Sequence, residues 1–439
     1  MNTKYILLCK AVYFSFFPQS SYSDKTHLFS HAIFIIFAAK FTYMSVTQEL
    51  AVNFNDTKLA YRYKTTSELK QAEWMFRFLN TPVIGALGKS GLKLAIQLGL
   101  PVKAAIKATL YKQFVGGETL EGCLPIAEKL AKFNVMSILD YSEEGKHSEA
   151  DFEHAFNELY SNVKFSATHD TTIFAVFKPT AFISSAIMEK ISEGKALNSS
   201  EEASWEKAKT RFDLLCKTAF EHNYRIMIDA EEYYTQEAID ELTYSMMAKY
   251  NKEDIHVINT YQMYRHDRLD ALKKAFDRAK SNGYKLGAKL VRGAYMEKER
   301  ARAIAMNYPD PINATKEQTD NNYDDAVRFC MENLDNLMVF IGTHNEKSSR
   351  LGAEYLVQQG LPRNHRNVWF SQLYGMSDNI SFNLAAAGFN VVKYVPYGPV
   401  RSVTPYLIRR ADENSSVAGQ AIREIKMLKE EIIRRNKEA

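Results

Sequence analysis

The stretch KLGAKLVRGAYMEKER, Lys285–Arg300, opens as an apolar strand, Ala288–Val291, breaks at Arg-Gly-Ala-Tyr and enters a strongly charged helix. Two cations, Lys289 and Arg292, flank Leu290 and Val291. Burying a charge costs several kcal/mol unless it is paired, so a buried strand of this kind needs an anion nearby. A strand end with solvated cations is the plainer alternative, since such side chains are mostly exposed. The rest of the chain decides between them.

Outward from this stretch, β-branched apolar runs recur, each followed by a polar turn and a helical pattern. They are Val135–Leu139, Ile173–Phe177, Arg225–Ile228, His256–Thr260, Gly287–Val291, Met338–Gly342, Val368–Gln372 and Val391–Val395. Helical spacing is clear in Ser204–His222, Gln236–Lys249, Arg268–Asn282, Asn321–Leu334 and Glu346–Gln359. Alternating strands and helices indicate βαβ units and a parallel sheet. Eight units over roughly 250–300 residues predict a TIM barrel. An open doubly wound sheet is the alternative, but no GxGxxG follows any strand.

In a barrel the reactive groups stand where the strands end. Those positions hold Lys178, then Asp229 and Glu231, Asn259 and Gln262, Lys289 and Arg292, Thr343-His344-Asn345, Gln372 and Tyr394. Any one of these is readily structural, but the whole set describes a polar mouth that packing does not require. His344 has no metal-ligating partner at i+4, and the ten histidines form no HxH or HExxH pair. No Gly-x-Ser-x-Gly elbow and no catalytic-cysteine motif occurs. Covalent-triad and zinc hydrolysis are therefore unsupported. A cup with several cations and a carboxylate suits an anionic cofactor and a small charged substrate.

Val403–Ala411, VTPYLIRRA, places Tyr406 three and four residues before Arg409 and Arg410, on a shared helix surface. Paired guanidinium groups grip a carboxylate in bidentate fashion. A solvated arginine pair is the alternative, but the helix starts just after the last strand and so packs near the mouth.

Across 439 residues the formal charge is only +4, with no clustered basic face of the kind that binds nucleic acid. Cys9, Cys123, Cys216 and Cys330 are scattered and suit a reducing compartment. Residues 1–43 differ from the remainder. Their apolar runs are broken by Lys10, His31 and Lys40, too short for a membrane span. No clear signal cleavage site follows, and no Arg precedes Arg62, unlike a transit peptide. We read 1–43 as an unstructured extension or a segment before an alternative start at Met44. Residues 44–133 form a helical region with a break at Asn80–Pro82, 134–420 the barrel, and 421–439 a C-terminal helix. Gly88-Lys89-Ser90 fails as a P-loop, because Val83 stands where a glycine is required.

IDAEEYYTQ (Ile228–Gln236), INTYQMY (Ile258–Tyr264), GAKLVRGAYMEKERARA (Gly287–Ala303), DPINAT, GTHNE, SQLYGMSD, ISFNLAAAG, KYVPYGPV and PYLIRRADENSS stand in this order between Phe114 and Ser416. Together they resemble the proline dehydrogenase family, on the branch shared with the eukaryotic mitochondrial enzymes. The resemblance implies a distorted (βα)8 TIM barrel with an N-terminal helical segment and a C-terminal helix over the mouth, and noncovalent FAD at the strand ends. It implies oxidation of L-proline to Δ1-pyrroline-5-carboxylate by hydride transfer to flavin N5, the first step of proline degradation. Membrane quinone would take the electrons and a separate pyrroline-5-carboxylate dehydrogenase the product, since little chain follows the last helix. In a bacterium such an enzyme would be cytoplasmic, peripheral on the inner face of the inner membrane; in a eukaryote it would be mitochondrial.

By the same resemblance, Arg409, Arg410 and Lys178 would clamp the proline carboxylate. Tyr394, Tyr406 and Leu373 would close over its ring, and Asp229 would orient the polar groups around it. Lys289, Val291 and Gly293 would run along the isoalloxazine and pyrophosphate. Asn259, Thr343, His344, Asn345 and Gln372 would hydrogen-bond the flavin and its tail, with Glu413 at the nucleotide end. No metal is expected. Lys289 replaces the arginine of the bifunctional bacterial branch, and Lys is a point charge without a planar fork. Tyr394 favours proline over its 4-hydroxy derivative, whose dehydrogenase lacks this tyrosine. A dehydrogenase of hydroxyproline or another cyclic amine is one alternative; a non-catalytic barrel that binds a partner through its basic C-terminal helix is another.

Overall fold

A computed structural model describes residues 52–79, 107–142, 148–416 and 418–438. The extension read over residues 1–43 and the failed P-loop at Gly88–Ser90 lie outside the described residues.

Among the described residues, eight parallel strands close into a barrel in sequence order. They are β1 Val135–Tyr141, β2 Thr172–Phe177, β3 Arg225–Ile228, β4 Val257–Gln262, β5 Leu286–Val291, β6 Leu337–Gly342, β7 Val368–Leu373 and β8 Val391–Tyr397. β8 returns to pair with β1, Ile138 beside Tyr394. Each strand has two buried faces, which explains its nearly continuous apolar run. One face fills the interior with Ile138, Phe174, Met227, Ile258, Phe340 and Val392. The other meets the helices through Val135, Ala175, Ile226, Tyr261, Leu290 and Ile341.

Preceding the barrel are α1 (Thr57–Ala60), α2 (Thr66–Leu79) and α3 (Leu120–Ala131). The outer layer comprises α4 (Glu149–Ala167), α5 (Ser185–Ser192), α6 (Ser199–Glu221), α7 (Tyr233–Tyr250), α8 (Arg268–Ser281), α9 (Met296–Met306), α10 (Lys316–Glu332), α11 (Glu346–Gln358) and α12 (Asp378–Ala386). The chain closes with α13 (Val400–Ser416) and α14 (Ala418–Glu438). α6 begins five residues before the Ser204 expected from periodicity, because Asn198 and Glu201 form a reciprocal capping box. α10 likewise begins at Lys316 rather than Asn321, capped by Thr315 and Gln318. The caps lie outside the apolar stripe, where periodicity has no signal.

A second core joins the described segment before the barrel to the last two helices through Tyr61, Phe76, Phe114, Leu407 and Leu428. It seats α13 at the carboxyl ends of the strands. None of the described helices is long and apolar enough to cross a membrane.

Candidate active site

The carboxyl ends of the strands open into a cavity of about 700 Å³, within the usual span of small-molecule sites. Its centre is a charge network fixed by three strands. Lys289 on β5 donates to Asp229 Oδ1 at 2.6 Å, and the Tyr394 hydroxyl on β8 donates to Asp229 Oδ2 at 2.9 Å. The Lys289 ammonium also lies 5.0 Å from the centre of the Tyr394 ring, a cation–π distance. Burial pushes the Asp229 carboxyl up, but the Lys289 and Lys178 charges outweigh it and hold Asp229 below its ordinary range. Asp229 is therefore ionised at neutral pH. The anion that the opening cation awaited is partly supplied by the protein itself.

Lys178, just after β2, lies 3.5 Å from Asp140 Oδ2, which also accepts from Ser142 Oγ at 2.6 Å. Arg292 is held by Asp320 Oδ1 at 2.7 Å, Thr343 Oγ1 at 2.7 Å and Ser348 Oγ at 3.1 Å. It braces the rim from β5 to α11. Gln372 on β7 donates to the Thr343 carbonyl at 3.0 Å and accepts from Ser381 at 2.7 Å. Asn345 caps α11 by accepting from Lys347 N and Ser348 N, so a helix N-terminus faces the cup. His344 Nδ1 sits 2.9 Å from Ser377 Oγ. Its burial, with Lys393, Arg410 and Arg292 nearby, pushes its pKa down to about 3. It is neutral at working pH and bonds as an imidazole.

From α13, Tyr406, Arg409 and Arg410 all line the cup. The Arg410 guanidinium stands 5.0 Å from the Tyr406 ring centre. Lys178, Asp229, Lys289, Val291, Gly293, Thr343, His344, Asn345, Gln372, Leu373 and Tyr394 line the same cavity.

Asn259 is elsewhere. It is fully buried on the outer face of β4, donating to Asp240 Oδ1 at 2.9 Å. Its neighbours Thr260 and Gln262 line the cup instead, because successive side chains on a strand point to opposite faces. Expecting Asn259 at the flavin placed it on the wrong side of the sheet. The Glu413 side chain lies outside the described residues.

The structure adds residues that sequence reasoning left out of the site. Asp140 enters because β1 runs two residues beyond the expected end, and it shares the inward phase of Ile138. Extending that alternation by one pair would have found it. Gln262, seen at a strand end but given no role, has a buried Oε1 without a protein partner. Arg423 reaches the cup from α14 while gripping both Glu346 oxygens. No local signal in the sequence marks Arg423, whose place depends on how the terminal helix docks.

A sequence model of the proline dehydrogenase family matches residues 123–423. The chain belongs to the proline dehydrogenase family. It is 32% identical over 426 residues to the mitochondrial proline dehydrogenase 1 of Dictyostelium discoideum, covering 87% of this chain and 74% of that one. It is 35% identical over 322 residues to the carbapenem antibiotics biosynthesis protein CarD of Pectobacterium carotovorum, covering 73% of this chain and 83% of that one. Among solved structures it resembles proline utilization A from Bdellovibrio bacteriovorus, with a TM-score of 0.64 at 22% identity over 72% of this chain. The chain spans 34% of that protein's length, and this likeness bears on the barrel fold.

For a proline dehydrogenase, the question is whether the cup suits a flavin. The residues fit. Gln262 presents an unsatisfied buried acceptor, which suits a ligand N–H. Phe340, Val291, Leu373 and Met376 offer apolar walls for a planar ring. Lys316, Lys347 and Arg423 line the cup beside the N-terminus of α11, each paired with a carboxylate, Asp320, Asp324 and Glu346. The helix N-terminus and these side chains are the groups placed to meet phosphates.

Proposed function

We propose that this cup binds FAD and oxidises L-proline to Δ1-pyrroline-5-carboxylate, handing electrons to membrane quinone and the product to a separate dehydrogenase. The observation that carries the reading is the Lys289–Asp229–Tyr394 network, which shares one cavity with Arg409 and Arg410. The flavin, when bound, supplies the hydride acceptor.

The chain's own residues do the positioning. Arg409 and Arg410, with Lys178, receive the substrate carboxylate through charge-assisted hydrogen bonds. Tyr406 stacks beside Arg410 and with Leu373 closes over the ring. Asp229 is held ionised, which makes it a poor proton acceptor near neutrality. Its role is to orient Lys289 and the Tyr394 phenol. With its hydroxyl tied to Asp229, Tyr394 keeps its ring fixed beside the substrate, which disfavours a 4-hydroxyl group there. Lys289 places positive charge where negative charge develops. Lys316, Lys347 and Arg423 would meet the cofactor phosphates, and Thr260, Gln262, Thr343 and Gln372 its polar edge.

An absorbance spectrum of the purified protein tests this. A flavin band near about 450 nm should be present and should bleach on adding L-proline, faster than with 4-hydroxyproline. A colourless protein, or a flavin that proline leaves oxidised, refutes the reading.

A further inference from the structure

Beneath the β7–α12 turn lies a charge cluster that the proposed chemistry does not use. Lys393 and Asp378 both have fully buried side chains, with Nζ 2.9 Å from Oδ1. The same ammonium donates to the Met376 carbonyl at 2.5 Å and the Leu373 carbonyl at 3.4 Å. On the far side, Asp378 Oδ2 accepts from the Tyr63 hydroxyl at 2.7 Å and lies 3.0 Å from Lys64 Nζ.

A buried ion pair is weak as a source of stability, since apolar residues of similar volume often do as well or better. What the pair does here is geometric. The turn between Leu373 and Asp378 includes two residues at positive φ, Gly375 at 78° and Ser377 at 50°. For a serine that conformation persists only when its surroundings enforce it. Lys393 grips the turn from behind at two carbonyls. Its front carries Leu373 and Met376 into the cup and offers Ser377 Oγ to His344. Lys393 itself faces away from the cup, since Val392 and Tyr394 on either side fill the interior.

We propose that Lys393 and Asp378, secured by Tyr63 and Lys64 of the amino-terminal segment, are positioning residues that set the β7 turn and hence the substrate-facing wall at Leu373 and Met376. This rests on the reading of the cup as a proline site. It makes the segment before α2 part of the substrate-binding machinery, although that segment contributes no residue to the cavity lining.

Two variants of the full chain test it: Lys393→Met, and the milder Tyr63→Phe/Lys64→Met, which removes only the outer partners of Asp378. Amide hydrogen exchange over residues 373–377, followed without substrate, should accelerate in both while the barrel strands stay protected. KM for proline should rise on the order of tenfold, with kcat within about a factor of two. A lower Tm with wild-type KM and wild-type exchange at the turn would mean a purely structural pair and overturn the proposal. Should Lys393→Met fail to fold, the double variant decides alone. Were wild-type protein not reduced by proline, the reading of the site would fail, while the exchange measurement would still decide whether the pair sets the turn.

Discussion

Replacing Asp229 by Asn keeps the side-chain shape and removes the anion that Lys289 faces at 2.6 Å. The Lys289 side chain is only 8% exposed and that of Asp229 13%, so water cannot readily substitute. Removing one partner of a buried pair costs about 3–5 kcal/mol, and the residual exposure argues for the lower figure. At about 2.1 cal/mol/K per residue the unfolding entropy of 439 residues is roughly 0.9 kcal/mol/K. The expected loss is therefore about 3 °C in Tm at pH 7, read by circular dichroism. The pH dependence follows from the depressed carboxyl. Such a group stabilises the fold above its unfolded pKa of about 3.9 and loses that contribution as pH falls through the folded value. The gap between wild type and Asp229→Asn should be full at pH 7 and narrow only below about pH 4. Equal Tm values at pH 7, or a gap that widens in acid, would refute the claim that the site is built around an ionised Asp229.

Three further outcomes are expected. Arg409→Ala should raise the KM for proline about 10–100-fold with the flavin still bound, the range for losing a charge-assisted hydrogen bond; an unchanged KM excludes it from the clamp. Gly293→Ala should be poorly tolerated, because Gly293 sits at φ 131° and a Cβ would lie 2.5 Å from Tyr264 Cδ1; a loss of about 2 kcal/mol or more in denaturant unfolding, with weakened flavin retention, is the expected result. Glu231 is buried, which pushes its pKa to about 7 despite hydrogen bonds from Thr180 and the charge of Lys178. A raised carboxyl favours the fold while protonated, so wild-type stability should fall as pH rises from about 4.3 towards 7. Glu231→Gln should lose that slope and gain up to about 4 °C in Tm on the wild type at pH 8.

The arrangement of charge explains the chain's unusual strand ends. A buried strand tolerates Lys289 because Asp229 stands two strands away, and Asp229 stays charged because Lys178 and Lys289 flank it. Each offsets part of the cost of burying the other. A lysine at 289 fits this setting, since a compact ammonium reaches one carboxylate oxygen and the face of Tyr394 together.

The sequence by itself determined the eight βα units, the family motifs and most of the residues that gather at the mouth. Those signals are local: apolar runs of strand length, turn chemistry after them, and polar side chains where a run stops. What it did not determine was the phase of each strand. Strands buried on both faces show no polar alternation, so Asn259 and Gln262 look equivalent in sequence, while only Gln262 faces the cup. The same ambiguity hid Asp140 and the outward Lys393. Arg423, Tyr63 and Lys64 depend on something still less local, the docking of the segment before α2 and of the terminal helix, which closes contacts across more than 300 residues. Only the tertiary structure could decide those, because a side chain's face and its distant partner are set by packing and carry no signature in the residues beside it.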